Sequence, residues 1–334
     1  MSFKRLDPED ISISAEAISS PLWSTGTATL SNFYTSSNQV NGPTGEYYYK
    51  VFSDQTTNLN TQFSIAFGDR LGGGTIQYNP SVSGKSPSST IYGQFRNLVF
   101  GDEDAGFVFG TVVQDSIYVI SFDRARYKER LLPGSFNMTL QNPTTGNSVQ
   151  LTDNSKDIST ISYVDAGRVY EIVSGSNGSA YSGLGYTTSE GSYGKFLPDV
   201  GVIILNAAAL DLASPEGVAL GTTTTSNTAT FNIDKLYSAI DAGASMEILT
   251  EETISSNYIF VRVRNSEYNY TTNPSNITGS GEIRHAVMVN TPQAYVTTVG
   301  LYNESNDLLA VAKLSKPLLK DFTKEALVRI KLDY

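Results

Sequence analysis

No cysteine occurs anywhere in the 334 residues. Disulfides, thiolate metal sites and cysteine nucleophiles are therefore excluded, and the chain suits a reducing compartment such as a cytoplasm. There is a single histidine, His285, which rules out a metal centre built on several imidazoles. No apolar run is long enough to cross a bilayer. The start, Met1-Ser2-Phe3-Lys4-Arg5-Leu6, lacks the apolar core of a signal peptide, so neither a membrane span nor Sec export is expected. Positive charge is also scarce: 23 Lys and Arg against 33 Asp and Glu leave a net charge of −10. That balance argues against broad contact with nucleic acid or anionic lipid, so neither is expected as a partner.

What is abundant is the vocabulary of strands and turns: 20 Tyr, 15 Phe and 28 Gly among many Ser, Thr and Asn. The expected fold is mostly β, with two β-sandwich-like modules and a few short helices. The length exceeds that of a usual single domain. Residues 1–15 read as an extended arm, 16–180 as a first β module, and 181–334 as a second, with the division in the loop-rich Gly175 to Gly194. The polar stretch Gly221 to Thr230 reads as an insertion.

Glu46 to Phe52 and Gln62 to Gly68 are strand-like, and Trp23 between them and the arm reads as a core or interface anchor. Ile91, Tyr92, Phe95, Leu98 and Val99 share one helical face, with Ser88 or Ser89 as N-cap and Gly101 as stop. Phe107 to Val113 and Ser116 to Phe122, flanking Gln114-Asp115, predict a hairpin. Phe136 to Leu140 and Ser148 to Thr152 predict another across Asn142 to Asn147, and Ile158 to Val164 and Gly167 to Val173 continue the meander. Val200 to Leu205 is an unbroken apolar run, the mark of a strand buried on both faces. A second helix is expected over Ile233 to Ala242, capped by Asn232 and stopped by Gly243. Asn257 to Arg264 alternates as a half-exposed strand, and Asn265 to Gly281 is a polar loop.

Ala294 to Tyr302, a turn at Asn303 to Asp307, and Leu308 to Leu314 predict a C-terminal hairpin. After a break at Ser315-Lys316-Pro317, Val328, Ile330, Leu332 and Tyr334 alternate with Arg329, Lys331 and Asp333 as a final strand with one buried face.

Candidate chemistry is thin. Gly72-Gly73-Gly74 lacks the preceding apolar strand and the Lys-Ser/Thr ending of a phosphate cradle and reads as a loop. No Gly-x-Ser-x-Gly elbow accompanies His285, which reads as a strand residue. Asp102-Glu103-Asp104 and Glu251-Glu252 contain carboxylates, but adjacency does not place two of them across a cleft as glycoside hydrolysis requires. Asp153-Asn154-Ser155-Lys156-Asp157 lacks the Gly and closing Glu of a calcium loop. The basic run Asp123 to Arg130 contains its own acids and reads as solvated or salt-bridged surface rather than a nucleic-acid contact. No catalytic residue, cofactor site or metal site is assigned.

The run Val299-Gly300-Leu301-Tyr302-Asn303 followed by Leu308-Leu309-Ala310-Val311-Ala312-Lys313-Leu314 resembles the C-terminal block of virion structural proteins from contractile-tailed phages of the T-even type, especially marine ones. Three further blocks carry the likeness. They are Ile91-Tyr92-Gly93-Gln94-Phe95-Arg96-Asn97-Leu98-Val99-Phe100, then Ser116 to Leu140 with Tyr127-Lys128-Glu129-Arg130-Leu131-Leu132-Pro133-Gly134, then Leu197-Pro198-Asp199-Val200-Gly201-Val202-Ile203-Ile204-Leu205-Asn206. The resemblance covers about a third of the chain. It implies a non-enzymatic structural part of a phage particle, in the tail baseplate as a wedge-type component, assembled in the host cytoplasm. The implied partners are other phage structural proteins and copies of itself.

From Lys313 to Tyr334 six basic residues face three acidic ones, so the tail is +3 and the remainder −13. Lys316, Lys320 and Lys324 could align a neighbour by charge, or could protect a sheet edge from wrong pairing. With Phe3 and Leu6 of the arm they are the expected partner-binding residues. Other readings stay open: a tail-fibre or receptor-recognition module using Tyr47-Tyr48-Tyr49 or the tyrosines from Tyr181 to Tyr193, a capsid or neck component, or a hydrolase with a carboxylate pair facing a groove.

Overall fold

The computed structural model describes residues 3–35, 47–55, 60–75, 86–111, 113–181, 185–224 and 231–333. Glu46, Val112, residues 182–184, residues 225–230 of the expected insertion, and Tyr334 lie outside them. Strands dominate and helices are few, so the expected mostly-β class is the observed one. Contacts divide the chain into unit 1, residues 1–17 and 253–334, and unit 2, residues 18–252. The stretch from Gly175 to Gly194 lies wholly within unit 2.

In chain order, the first strands are β1 (Ile11–Pro21), β2 (Thr29–Leu30), β3 (Tyr48–Phe52) and β4 (Thr61–Asp69), followed by the helix α1 (Pro87–Phe100). Then come β5 (Phe107–Val108), β6 (Val113–Gln114), β7 (Ser116–Phe122), β8 (Arg130–Leu131), β9 (Asn137–Gln141) and β10 (Ser148–Asp153). Next are β11 (Ser162–Val164), β12 (Gly167–Ser176), β13 (Ser179–Ala180), β14 (Gly194–Leu197), β15 (Val202–Asn206) and the short helix α2 (Ala207–Asp211). Helix α3 (Asn232–Gly243) precedes β16 (Met246–Glu247) and β17 (Leu249–Val263), and α4 (Ala286–Asn290) precedes β18 (Gln293–Tyr302), β19 (Leu308–Asp321) and β20 (Ala326–Asp333).

Unit 2 is organised by one large curled sheet of order β2-β16-β9-β10-β12-β14-β15-β7-β4-β3, with β11 and β13 paired to β12. Its middle strands explain the unbroken apolar runs. Along β15, Ile203 and Leu205 point into one cluster with Phe63, Tyr118 and Ile120, while Val202 and Ile204 point into a second with Ile117, Val119, Tyr92 and Val99. A strand buried on both faces has no reason to alternate. Helices α2 and α3 contribute to the first cluster and α1 to the second. Trp23 is an anchor of the first cluster: its ring centroid lies 6.1 Å from those of Phe63 and Phe122, and its indole N–H donates to Ala28 O at 3.0 Å.

Several local expectations are corrected. The hairpin of Phe107 to Val113 with Ser116 to Phe122 does not form: β5 pairs with β6, and β7 lies between β4 and β15. The physical reason is burial on both faces, which favours a central strand with long-range neighbours over an edge hairpin. Ser86, not Ser88 or Ser89, caps α1, because Pro87 fits the first helical position and leaves the residue before it extended. Asn232 lies inside α3 rather than capping it; Phe231 takes the cap position. Gly243 is the last residue of α3, and Ala244 adopts the left-handed turn at φ 47°. A Cβ on Gly243 would meet Thr139 O at 2.0 Å, so close packing against β9 demands this glycine. The stretch from Gly175 to Gly194 is not all exposed loop: Ser192 and Tyr193 are buried.

In unit 1, β17 pairs with β20 antiparallel, Ile259 opposite Ile330 and Val261 opposite Val328. The sheet order is β1-β17-β20, and β18 and β19 form the expected hairpin as a separate two-stranded sheet. The expected break at Ser315-Lys316-Pro317 is instead a bulge inside β19: pairing jumps from Thr298↔Lys313 to Val296↔Leu318. Proline has no N–H for a ladder, so it sits where the ladder is interrupted. His285 precedes the one-turn helix α4 and is exposed, correcting its assignment to a strand.

Candidate functional site

The two units differ in how well each buries itself. In unit 2 the clusters described above are extensive and closed by helices. In unit 1 the core reduces to Ile259, Val328 and Ile330, with Leu6, Val299, Leu301, Leu314 and Leu318 only partly buried around them. More than half of the large apolar side chains exposed among the described residues belong to unit 1, which holds under a third of the chain. The hairpin carries several of them: Tyr295 is 65% exposed, Leu308 52%, Leu309 68% and Val311 58%. These side chains stand open to solvent in the chain by itself.

The strand pattern fixes which side chains are left out. Val299 and Leu301 of β18 turn with Ala312 of β19 toward the small core, so Gly300 and Val311, which lie opposite each other, turn away from it. Tyr302 folds over Gly300, and a Cβ there would meet its ring at 2.9 Å. The arm is not a free reach to a neighbour. Phe3 packs edge-on against Tyr302 with centroids 5.0 Å apart, Lys4 Nζ donates to Glu267 Oε2 at 3.0 Å, and Leu6 joins the core. Phe3 still leaves 56% of its surface open.

Of the three lysines expected to meet a partner, Lys316 and Lys324 are exposed, and Lys324 lies 3.9 Å from Asp321 Oδ2. Lys320 is corrected: it is fully buried. Its ammonium donates to Asn265 O at 2.9 Å, Asn269 Oδ1 at 2.7 Å and Asp321 O at 2.9 Å. All three donors of the ammonium are used inside the fold, so it holds the loop after β17 rather than presenting charge outward.

The other polar groups singled out in the sequence lie in unit 2 and are engaged in structure. Arg130 pairs with Glu251 at 2.7 Å and Glu129 at 2.8 Å, and Lys128 pairs with Glu252 at 2.8 Å, while Arg124 donates to the carbonyls of Tyr127 and Lys128. Glu251 and Glu252 are thus held by cations. Asp102 accepts the Asp104 N–H in the exposed turn after α1. Asp153 is buried and accepts N–H groups from Gly134 and Ser155; burial pushes its carboxyl above the ordinary value of 3.8. Burial also raises Asp199, but hydrogen bonds from the Arg168 guanidinium and backbone N–H outweigh it and leave the carboxyl below its ordinary value. Burial pushes the Tyr193 hydroxyl up to about 12, consistent with its donation to Glu216 O.

Glu171 accepts from both Ser192 and Lys195, the latter at 2.7 Å. Ser192 is buried and its hydroxyl donates to the Glu171 carboxylate. Among the described residues no group of three or more His, Asp or Glu is placed to hold a metal ion. The glycines at 72–74 close a turn in which Asp69 Oδ1 accepts from Leu71 and Gly73 N–H, and Asn232 reaches Gly74 O at 3.4 Å. Comparison with known proteins finds no matching family model, no matching curated protein and no matching solved structure.

Proposed function

We propose that the chain is a non-enzymatic architectural component of a bacteriophage virion, a wedge-type part of the tail baseplate assembled in the host cytoplasm. It acts by protein–protein contact with other phage structural proteins and with copies of itself. The observation that carries the reading is the apolar exposure of unit 1, part of it on the C-terminal hairpin, which also carries one block of the resemblance to virion structural proteins. A surface of this kind is covered when neighbours dock. Cryo-electron microscopy of intact particles tests this. Density for the chain in baseplate or tail, in copies set by the particle's symmetry, is expected. Its absence from the particle overturns the reading.

A fibre or receptor-recognition module is the second reading, favoured by the exposed rings of Tyr163 and Tyr181 in unit 2. Tyr49, by contrast, is buried and donates to Asp234, which removes it from any glycan platform. Density confined to fibre tips, together with binding on a glycan array, would put this reading first. A position in capsid or neck would keep the architectural role and move its place.

A further inference from the structure

In the sheet β1-β17-β20, to which β8 is added by its pairing with β17, the outer strands β1 and β20 have edges that are built differently. β20 carries Arg329, Lys331 and Asp333, all exposed, and charge of this kind protects an edge from unintended pairing. The part of β1 in unit 1, Ile11-Ser12-Ile13-Ser14-Ala15-Glu16-Ala17, has one charge, no lysine and no proline. Every residue of it is exposed. An unguarded strand edge of this length is a template for another strand.

We propose that Ile11–Ala17 pairs antiparallel with the same segment of a second copy of this chain, about a two-fold axis at Ser14. In that register Ile11 lies opposite Ala17 of the second copy, Ser12 opposite Glu16, Ile13 opposite Ala15, and Ser14 opposite its own copy. No carboxylate faces another, so the like-charge penalty of directly opposed strands is avoided. Ile11, Ile13, Ala15 and Ala17 share one face, and the two-fold joins two such stripes into one apolar face about 24 Å long. Unit 1 has equal numbers of basic and acidic residues, whereas the net charge of −10 belongs to unit 2. Two copies therefore meet through neutral parts, with no net charge on either contacting unit. Isologous pairing is also the commonest closed symmetry for identical chains.

The pairing deepens the architectural reading by naming one partner of unit 1, and it is tested on the purified full-length chain, so either can fail without the other. The absence of cysteine makes single-cysteine variants clean reporters. Light scattering should show a dimer, and Ser14→Cys should form a disulfide-linked dimer under mild oxidation about tenfold faster than Ser12→Cys, whose opposite residue is Glu16. Ile13→Lys should weaken dimerisation by about tenfold or more while circular dichroism stays unchanged. Thr298→Cys places the reporter on β18, a strand of unit 1 without a charged residue. The proposal is overturned by a monomer at every concentration up to the solubility limit, by equal crosslinking at Ser12 and Ser14, or by preferential crosslinking at Thr298.

Discussion

Replacing Lys320 with methionine tests how unit 1 is held together. The side chain is 0% exposed, and its ammonium bonds only to neutral oxygens: Asn265 O, Asn269 Oδ1 and Asp321 O. Methionine keeps the unbranched stem and removes the three donors. Asn265 O retains a bond from Asn269 Nδ2 at 2.8 Å, so two acceptors lose the donor that Lys320 supplies. Each such loss costs about 1 to 3 kcal/mol, partly offset because no ammonium is desolvated in the variant. The net destabilisation is about 2 to 4 kcal/mol, and alanine, which also empties the stem's space, costs more. Hydrogen exchange of the β18, β19 and β20 amides reports local opening of unit 1, while fluorescence of Trp23, the sole tryptophan, reports unit 2. Opening of the hairpin should become easier by that amount. A methionine variant as protected as the parent would refute the reasoning, since Lys320 would then be a tolerated burial and not a tie.

Trp23→Ala removes a side chain that packs on Phe63 and Phe122 and should cost unit 2 about 3 to 5 kcal/mol in urea unfolding followed by circular dichroism. Asn232→Ala takes away bonds to Thr223 N–H at 3.0 Å, Thr223 O at 2.9 Å and Gly74 O, and should destabilise by about 1 to 3 kcal/mol. Asp153 has a native carboxyl pKa raised above 3.8 by burial, so its contribution to stability is full below 3.8 and is lost as pH rises through the native value. Asn at this position stays neutral and keeps an oxygen for the Gly134 and Ser155 N–H groups. Asp153→Asn should therefore gain in urea midpoint relative to the parent as pH rises above 3.8, and a pH-independent difference would contradict this.

What depends on neighbouring residues was legible in the sequence. The hairpins of β9 with β10 and β18 with β19 follow from turn residues between strand-like runs, and β15 follows from an apolar run that only a doubly buried strand tolerates. What depends on distant residues was not. The partners of β7 are β4 and β15, and nothing local to Ser116–Phe122 names either. Gly243 reads as a helix stop but is required by the approach of Thr139 O, a contact set by how α3 lies on β9. Lys320 reads as surface because lysine is seldom buried, and two of its three acceptors lie in the loop after β17, 55 and 51 residues away in sequence. For the proposed interaction surface, the sequence pointed to the C-terminal hairpin and the arm. It could not show that Phe3 and Leu6 fold back onto unit 1, nor that all of β1 is exposed.

Hydrogen exchange of the free chain against the chain in assembled particles tests most directly whether unit 1 is the contact-forming part. Protection should rise in β1, β18 and β20 on assembly while the amides of β7 and β15, already buried at the centre of unit 2, stay as they were. Protection that rises only in unit 2, or nowhere, would contradict it.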